Sequence, residues 1–314
     1  MGTAHNAFTA SVIEVSPTAT PTPPPWVFDL LGATSFEIAS SWHEAIGLSV
    51  ARTTGLAAVR VLVPGVRAMD ILTLQQVVAE AYQSVFEQLR LGPASWPVRF
   101  WAFIPGIHAV MSPGLDRYMV FNAGRFAAYS AWCGGREAFS KSVPTASAVG
   151  TWGEDLVLYC LAAAAPATPA ENPRQVPAYR YSRKYGPMPP CFARSTLVQA
   201  AGAPLLLVGG TASIRGEDSM HVGHLEAQAE ETFRNLAALV RSALGGDGDE
   251  NDLERGPWLD RFRDLRIYHP RLADRSSILA QIQQRFRCLR RVEMIGAELC
   301  RAELLVEIEG LAEV

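Results

Sequence analysis

Leu56-Ala-Ala-Val-Arg-Val-Leu-Val63 is rich in β-branched residues and stops at Pro64, so it reads as a strand. Beyond it, Val77, Val78, Ala81, Tyr82, Val85 and Leu89 share one face of a helix expected from Leu72 to Leu91. Arg99-Phe-Trp-Ala-Phe-Ile-Pro105 then alternates and ends at proline, a second strand. The same order recurs further on: Ala203-Pro-Leu-Leu-Leu-Val208 as a strand, Leu225 to Leu244 as a helix, and Leu265-Arg-Ile-Tyr-His-Pro270 as a strand closed by proline. Glu80-Ala-Tyr-Gln-Ser-Val-Phe86 and Glu231-Thr-Phe-Arg-Asn-Leu-Ala237 hold matching places, and Phe103-Ile-Pro105 mirrors Tyr268-His-Pro270. Internal duplication explains the match; chance likeness of two amphipathic helices is the other reading. A helix from Arg275 to Phe286 and a strand Leu304-Leu-Val-Glu-Ile-Glu309 close the second unit. The expected fold class is α+β, two halves that each pack a mixed sheet on helices.

Around these units, 314 residues allow one large or two modest domains. Residues 1–25 are rich in Thr, Ala and Pro and are expected as a loose leader. Residues 26–165 form the N-terminal domain, 166–190 a connecting segment dense in Pro, Tyr and Arg, and 191–314 the C-terminal domain. Lys and Arg number 28 against 31 Asp and Glu with no basic tract, which argues against nucleic acid or an anionic membrane and for a small metabolite or a protein partner. Five cysteines, odd in number and never in a C-x-x-C pair, suggest neither a disulfide framework nor zinc and fit a reducing compartment. No basic N-terminal region precedes an apolar run, and Leu156 to Ala165 is too short to span a bilayer, so a soluble cytoplasmic chain is expected. The acidic Gly245 to Asp252 stretch lacks calcium-loop spacing and reads as a solvated insertion.

Motifs for phosphate cradling, dinucleotide binding, zinc hydrolysis and the hydrolase nucleophile elbow are all missing. What remains is Arg beside Tyr: Gly114-Leu-Asp-Arg-Tyr118, Asn122-Ala-Gly-Arg125, Glu171-Asn-Pro-Arg-Gln-Val176, Tyr179-Arg-Tyr181, Tyr185-Gly-Pro187 and Phe192-Ala-Arg194. A guanidinium fork pairs both oxygens of a carboxylate while a phenol adds a further donor, so these clusters suit a carboxylate ligand. Taken singly, each arginine reads equally as a surface ion pair and each tyrosine as core.

Gly114 to Arg125, Glu171 to Tyr181, Phe192-Ala-Arg194, Gly209-Gly-Thr-Ala-Ser213 and Val306-Glu-Ile-Glu309 resemble the signature segments of the chorismatases, from about residue 26 to the C-terminus. The last half is also similar to the smaller YjgF/RutC/RidA proteins, which implies two YjgF/RidA-like (chorismate mutase-like) halves. The resemblance implies chorismate as substrate and protonation of its enolpyruvyl ether by a glutamate acid, Glu307. On strand alternation alone Glu307 is an outward polar residue beside Val306 and Ile308; only the resemblance makes it the acid. It further implies that Arg125 and Arg194 bind carboxylates with Tyr118 and Tyr181 as companions, from a pocket between the halves, with Thr211, Ala212 and Ser213 as a wall. Cys300 matches a cysteine of the benzoate-forming branch, whereas Ala212 departs from the Gly expected of a strict 3-hydroxybenzoate former. The implied products are pyruvate with 3-hydroxybenzoate, with 4-hydroxybenzoate alongside, or, by addition of water, a dihydroxycyclohexadiene carboxylate.

Two rivals stand beside this reading: a RidA-like imine deaminase, whose substrate-holding Arg has Val292 in its place here, and a small-ligand binder that needs no Glu307. The six histidines form no triad, and His221 with His224 lacks a third ligand, so no metal and no organic cofactor is expected. YjgF-type proteins form trimers, and a duplicated chain supplies part of such an interface itself; a monomer or small homo-oligomer is expected.

Overall fold

The computed structural model describes residues 10–32, 41–43, 46–200, 202–246 and 248–314. Strands β1 (Ile46–Arg52) and β2 (Leu56–Val63) pair antiparallel, and helix α1 (Ile71–Arg90) follows, with Asp70 accepting the Leu72 and Thr73 amides at its N-terminus. Then come β3 (Trp96–Pro105), α2 (Arg117–Cys133), β4 (Thr145–Thr151) and β5 (Leu156–Ala163). The second unit runs β6 (Ser195–Ala200), β7 (Ala203–Ala212), α3 (Leu225–Ala243), β8 (Phe262–His269), α4 (Arg275–Arg285), β9 (Arg291–Gly296) and β10 (Glu307–Glu313). The sheets order as β1-β2-β5-β3-β4 and β6-β7-β10-β8-β9, and in each the third and fourth of these neighbours pair antiparallel and the last two parallel. The repeat heard in the sequence is thus a repeat of topology.

Three apolar clusters stack the units into four layers, helices outside and sheets within. Tyr82, Val85 and Phe121 pack on Phe100, Ala102 and Leu158; Phe233, Leu236 and Ile278 pack on Leu206, Ile267 and Ile308. Between the sheets lie Trp101, Phe103 and Tyr159 from the first unit and Leu205, Leu207 and Leu311 from the second. Both faces of the inner strands are therefore covered, which is why β5 is apolar at every position instead of alternating. Among the described residues no helix is long and apolar enough to cross a membrane.

The fold departs from the sequence expectations at four places. Ser11–Val15 is not loose leader: it pairs in parallel with β9, an edge whose free amides its β-branched residues complete, while Arg266 Nη1 donates to Thr22 O (2.7 Å) and Trp26 is buried between the sheets. Arg117–Cys133, read only as an Arg and Tyr cluster, is a helix whose apolar period is broken because Arg117, Asn122 and Arg125 lie on its buried side. Gly124 lets it approach α1, since a Cβ there would stand 2.5 Å from Gln75 O. The closing strand begins at Glu307, not Leu304, because Gln228 Oε1 takes the Leu305 amide before the ladder starts. The Gly245 to Asp252 stretch ends in a short helix, Glu250–Arg255, capped by Asp249.

Candidate active site

Where the two units face each other, a cavity of about 290 Å³ opens, a size suited to one small metabolite. α2 supplies Tyr118 and Arg125 and β4 supplies Ser147. The second unit supplies Arg194 from just before β6, Gly210 and Ala212 from β7, and Glu307 from the first position of β10. Tyr181 and Tyr185 come from the connecting segment, and Cys300, Arg301 and Glu303 from the loop before β10.

Arg125 is 0% exposed and forms no ion pair among the described residues. One of its amino groups donates to Asn122 Oδ1 (2.6 Å), while Nε and Nη1 have no hydrogen-bond partner. Tyr82, Tyr118 and Tyr129 surround it with buried phenols, and burial acts against its charge. A desolvated cation with free donors is costly unless an anion completes it. Arg194 donates to Tyr181 Oη (2.5 Å) and leaves Nε free. The carboxyl that acts on it at longer range, Glu171, is pushed up to about 7 by burial, against the pull of Arg194 and Arg180. Phe192 takes both guanidinium groups against its ring, at 5.7 Å for Arg125 and 5.0 Å for Arg194. The sequence reading missed a third cation: Arg301 stacks 3.9 Å over Tyr185 and donates to Glu217 O and Ser219 Oγ. Its signal was weak, a lone arginine in a loop one residue after Cys300.

Glu307 is 4% exposed and borders the cavity. Val306 and Ile308 turn to the helix layer, so the other side of β10, outward in a lone sheet, here faces the second sheet and the cavity. Burial, then the charge of Glu309, push the Glu307 carboxyl up to about 8, against the pull of Arg99 and Arg194. Its carboxyl lies over Gly210, where any Cβ would overlap Oε1. The Cys300 thiol on the same cavity is pushed up to about 12 by burial and by Glu307, so it stays neutral.

Two expected wall residues are elsewhere. The period of two along β7 gives Gly210 and Ala212 to the cavity and turns Thr211 away, its Oγ1 donating to Gly209 O (2.9 Å). Ser213 donates to Met220 O (3.0 Å) and does not line the cavity. Glu307, Cys300, Tyr118, Arg125, Tyr181, Arg194 and Ala212 are brought together. Among the described residues no three His, Cys, Asp or Glu side chains group to hold a metal ion.

Two buried guanidinium groups, one of them without an ion pair among the described residues, thus line one cavity with a carboxyl pushed up to about 8. Residues 34–162 match the family model described as chorismatase FkbO/Hyg5-like, N-terminal. The chain is 32% identical over 236 residues to a 3-hydroxybenzoate synthase of Streptomyces hygroscopicus, covering 74% of this chain and 67% of that protein. It is 32% identical over 239 residues to a chorismatase of Streptomyces rapamycinicus, covering 74% and 69%. Among solved structures it is similar to a chorismatase with a TM-score of 0.72 and 26% identity, over 88% of this chain and 79% of that one.

Proposed function

This chain belongs to the chorismatase family, and from that premise we propose that it is an enzyme converting chorismate into pyruvate and 3-hydroxybenzoate in the cavity between its two units. The observation that carries the reading is the juxtaposition of Arg125, buried without an ion pair among the described residues, and Arg194, whose carboxyl neighbour, Glu171, is pushed toward its neutral form, with a Glu307 carboxyl that keeps its proton near neutral pH. Chorismate brings two carboxylates, one on the ring and one on the enolpyruvyl ether, and each arginine takes one.

Glu307 then gives its proton to the methylene carbon of the enol ether, leaving a cation at the ether carbon that the new carboxylate stabilises at close range. The neighbouring ring hydroxyl attacks the carbon that bears the ether, giving up its own proton and closing a three-membered ring, while the ether oxygen leaves as the ketone of pyruvate. The three-membered ring reopens at the hydroxyl's original carbon, so the oxygen stays on position 3, regains a proton there, and loss of the ring proton makes the ring aromatic. One proton goes on and one comes off, and the two products together hold every atom of chorismate, so no co-reactant is required. The neutral Cys300 thiol, which lines the cavity, relays the ring proton, and the methyl of Ala212 shapes another part of the wall.

Incubation of the purified protein with chorismate, followed by chromatography, is expected to give 3-hydroxybenzoate and pyruvate in equal amounts. A dihydroxycyclohexadiene carboxylate as the sole ring product would overturn the product assignment, and unconsumed chorismate would overturn the enzyme itself.

Gly210 gives a sharper local test. In Gly210→Ala the atom displaced is the far end of the Glu307 side chain, not backbone, so the variant is expected to fold. The carboxyl must move by about an ångström, and kcat is expected to fall about 100-fold with KM nearly unchanged. Parental kcat in the folded variant would show that the acid sits elsewhere.

A further inference from the structure

The second glutamate of Val306-Glu-Ile-Glu309 has no part in the proposed chemistry, yet more donors converge on it than on any group of the cavity. Glu309 is 1% exposed on the same side of β10 as Glu307, two residues on, a separation on the order of 7 Å along the strand. Arg99 Nη2 donates to it at 2.6 Å, Trp101 Nε1 at 2.8 Å and Tyr268 Oη at 3.3 Å, and Ser147 Oγ adds a fourth, short hydrogen bond. Four donors suit an acceptor-only carboxylate. Arg99 and Trp101 stand on β3 and Ser147 on β4, so the cluster joins the first unit to the second. Neither Arg99 nor Glu309 lines the cavity, whereas Ser147 does. Ser147 Oγ also accepts the Gly210 amide (2.8 Å), and Gly210 is the floor on which the Glu307 carboxyl rests.

We propose that Glu309 is a positioning residue for the acid step: anchored by Arg99, Trp101, Tyr268 and Ser147, its carboxylate sets a fixed negative charge beside Glu307 on the same face of β10. The inference rests on the reading of Glu307 as the acid. Glu307 is faced by Glu309 on its own strand, by Arg99 from β3 and by Arg194 from before β6. Tyr118 from α2 and Cys300 from the loop before β10 also act on it, and Arg125, Arg301 and Glu303 line the same cavity. Asp116, His108, Tyr181 and Tyr185 complete the titratable groups around the cavity. Of the charges acting on Glu307, Glu309 opposes its ionisation while Arg99 and Arg194 favour it, and Glu309 outweighs Arg99. A buried carboxylate this close disfavours a second negative charge.

The test is the pH profile of kcat for pyruvate release in Glu309→Gln, Glu309→Asp and the parent, each first shown to be folded. The parental rate is expected to fall as pH rises and Glu307 loses its proton. In Glu309→Gln that limb is expected to move about one pH unit lower, with activity at low pH within a few-fold of the parent. Glu309→Asp keeps the charge and is expected to restore the parental limb even where its absolute rate is lower. Should Glu309→Gln fail to fold with Arg99 orphaned, Arg99→Gln/Glu309→Gln leaves no unpaired charge. Its limb is also expected below the parental one, because Glu309 is the weightier of the two charges removed. A uniform loss of rate at every pH, or a limb that stays at the parental position in both neutral variants, would reduce Glu309 to a structural strut. Glu307→Gln run alongside separates the two ideas: if it is inactive while the limb is unmoved, only the role of Glu309 falls; if it is active, the acid assignment falls with it.

Discussion

Glu307→Gln is expected to cut pyruvate release from chorismate by about 10³-fold or more while leaving chorismate affinity within a few-fold of the parent. The amide fills the same volume over Gly210 but carries no acidic proton, and the carboxylate clamps Arg125 and Arg194 are untouched. A coupled assay for pyruvate and calorimetric titration with chorismate under non-turnover conditions separate the two quantities. The parental enzyme carries a matching signature in pH. Its acid is active while protonated, and the Glu307 carboxyl is pushed up to about 8, so kcat is expected to hold below that pH and to fall as pH rises through it. Stability carries the same sign. Between the ordinary carboxylate value of 4.5 and about 8 the folded chain keeps a proton that the unfolded chain has released, so this group makes the fold progressively weaker as pH rises across that window. Glu307→Gln removes the liability and is expected to melt above the parent at pH 8 but not at pH 4.5. Loss of binding together with turnover would make Glu307 a substrate anchor, and retained turnover would send the search for the proton elsewhere.

What the sequence disclosed and what it hid follow from which physical signal each element carries. β2 and α1 were legible because one is a β-branched run stopped by proline and the other places its apolar residues on one side. α2 was hidden by the feature that makes it functional: Arg117, Asn122 and Arg125 occupy its buried side, and a pattern search takes charge as exposure. Glu307 failed the same test, since alternation between Val306 and Ile308 assigns it to solvent; it takes a second sheet, packed face to face, to turn that side inward. Only the likeness of separated motifs pointed to it. The errors at Thr211 and Ser213 have a simpler origin, because a contiguous motif on a strand can give only alternate residues to one cavity. Arg301 and the Ser147, Arg99 and Glu309 cluster join segments far apart in the chain, and nothing local marks them.

Arg125→Met is expected to weaken chorismate binding by about 2–5 kcal/mol, 30-fold at the least, because it strips one partner from a buried, hydrogen-bonded charge pair. Its effect on stability is expected to be small and is the more revealing quantity. In the free protein Arg125 is a desolvated cation with no carboxylate partner and two unsatisfied nitrogens, so its removal relieves a cost while depriving Asn122 Oδ1 of one donor. Arg99→Met should behave in the opposite way. Arg99 is equally buried but is paired with Glu309, and its loss leaves that carboxylate without its cation in the interior, expected to cost about 3–5 kcal/mol. Two arginines of equal burial are thus distinguished by whether the chain supplies their counter-charge: one holds the units together, the other stands ready for an anion from outside. Thermal melts of the two variants with and without chorismate read this directly. Stabilisation by chorismate should persist in whatever folded Arg99→Met can be obtained and should largely vanish in Arg125→Met. A large loss of stability in ligand-free Arg125→Met would mean that the cation is already satisfied within the fold, and the case for a carboxylate clamp at that position would fail.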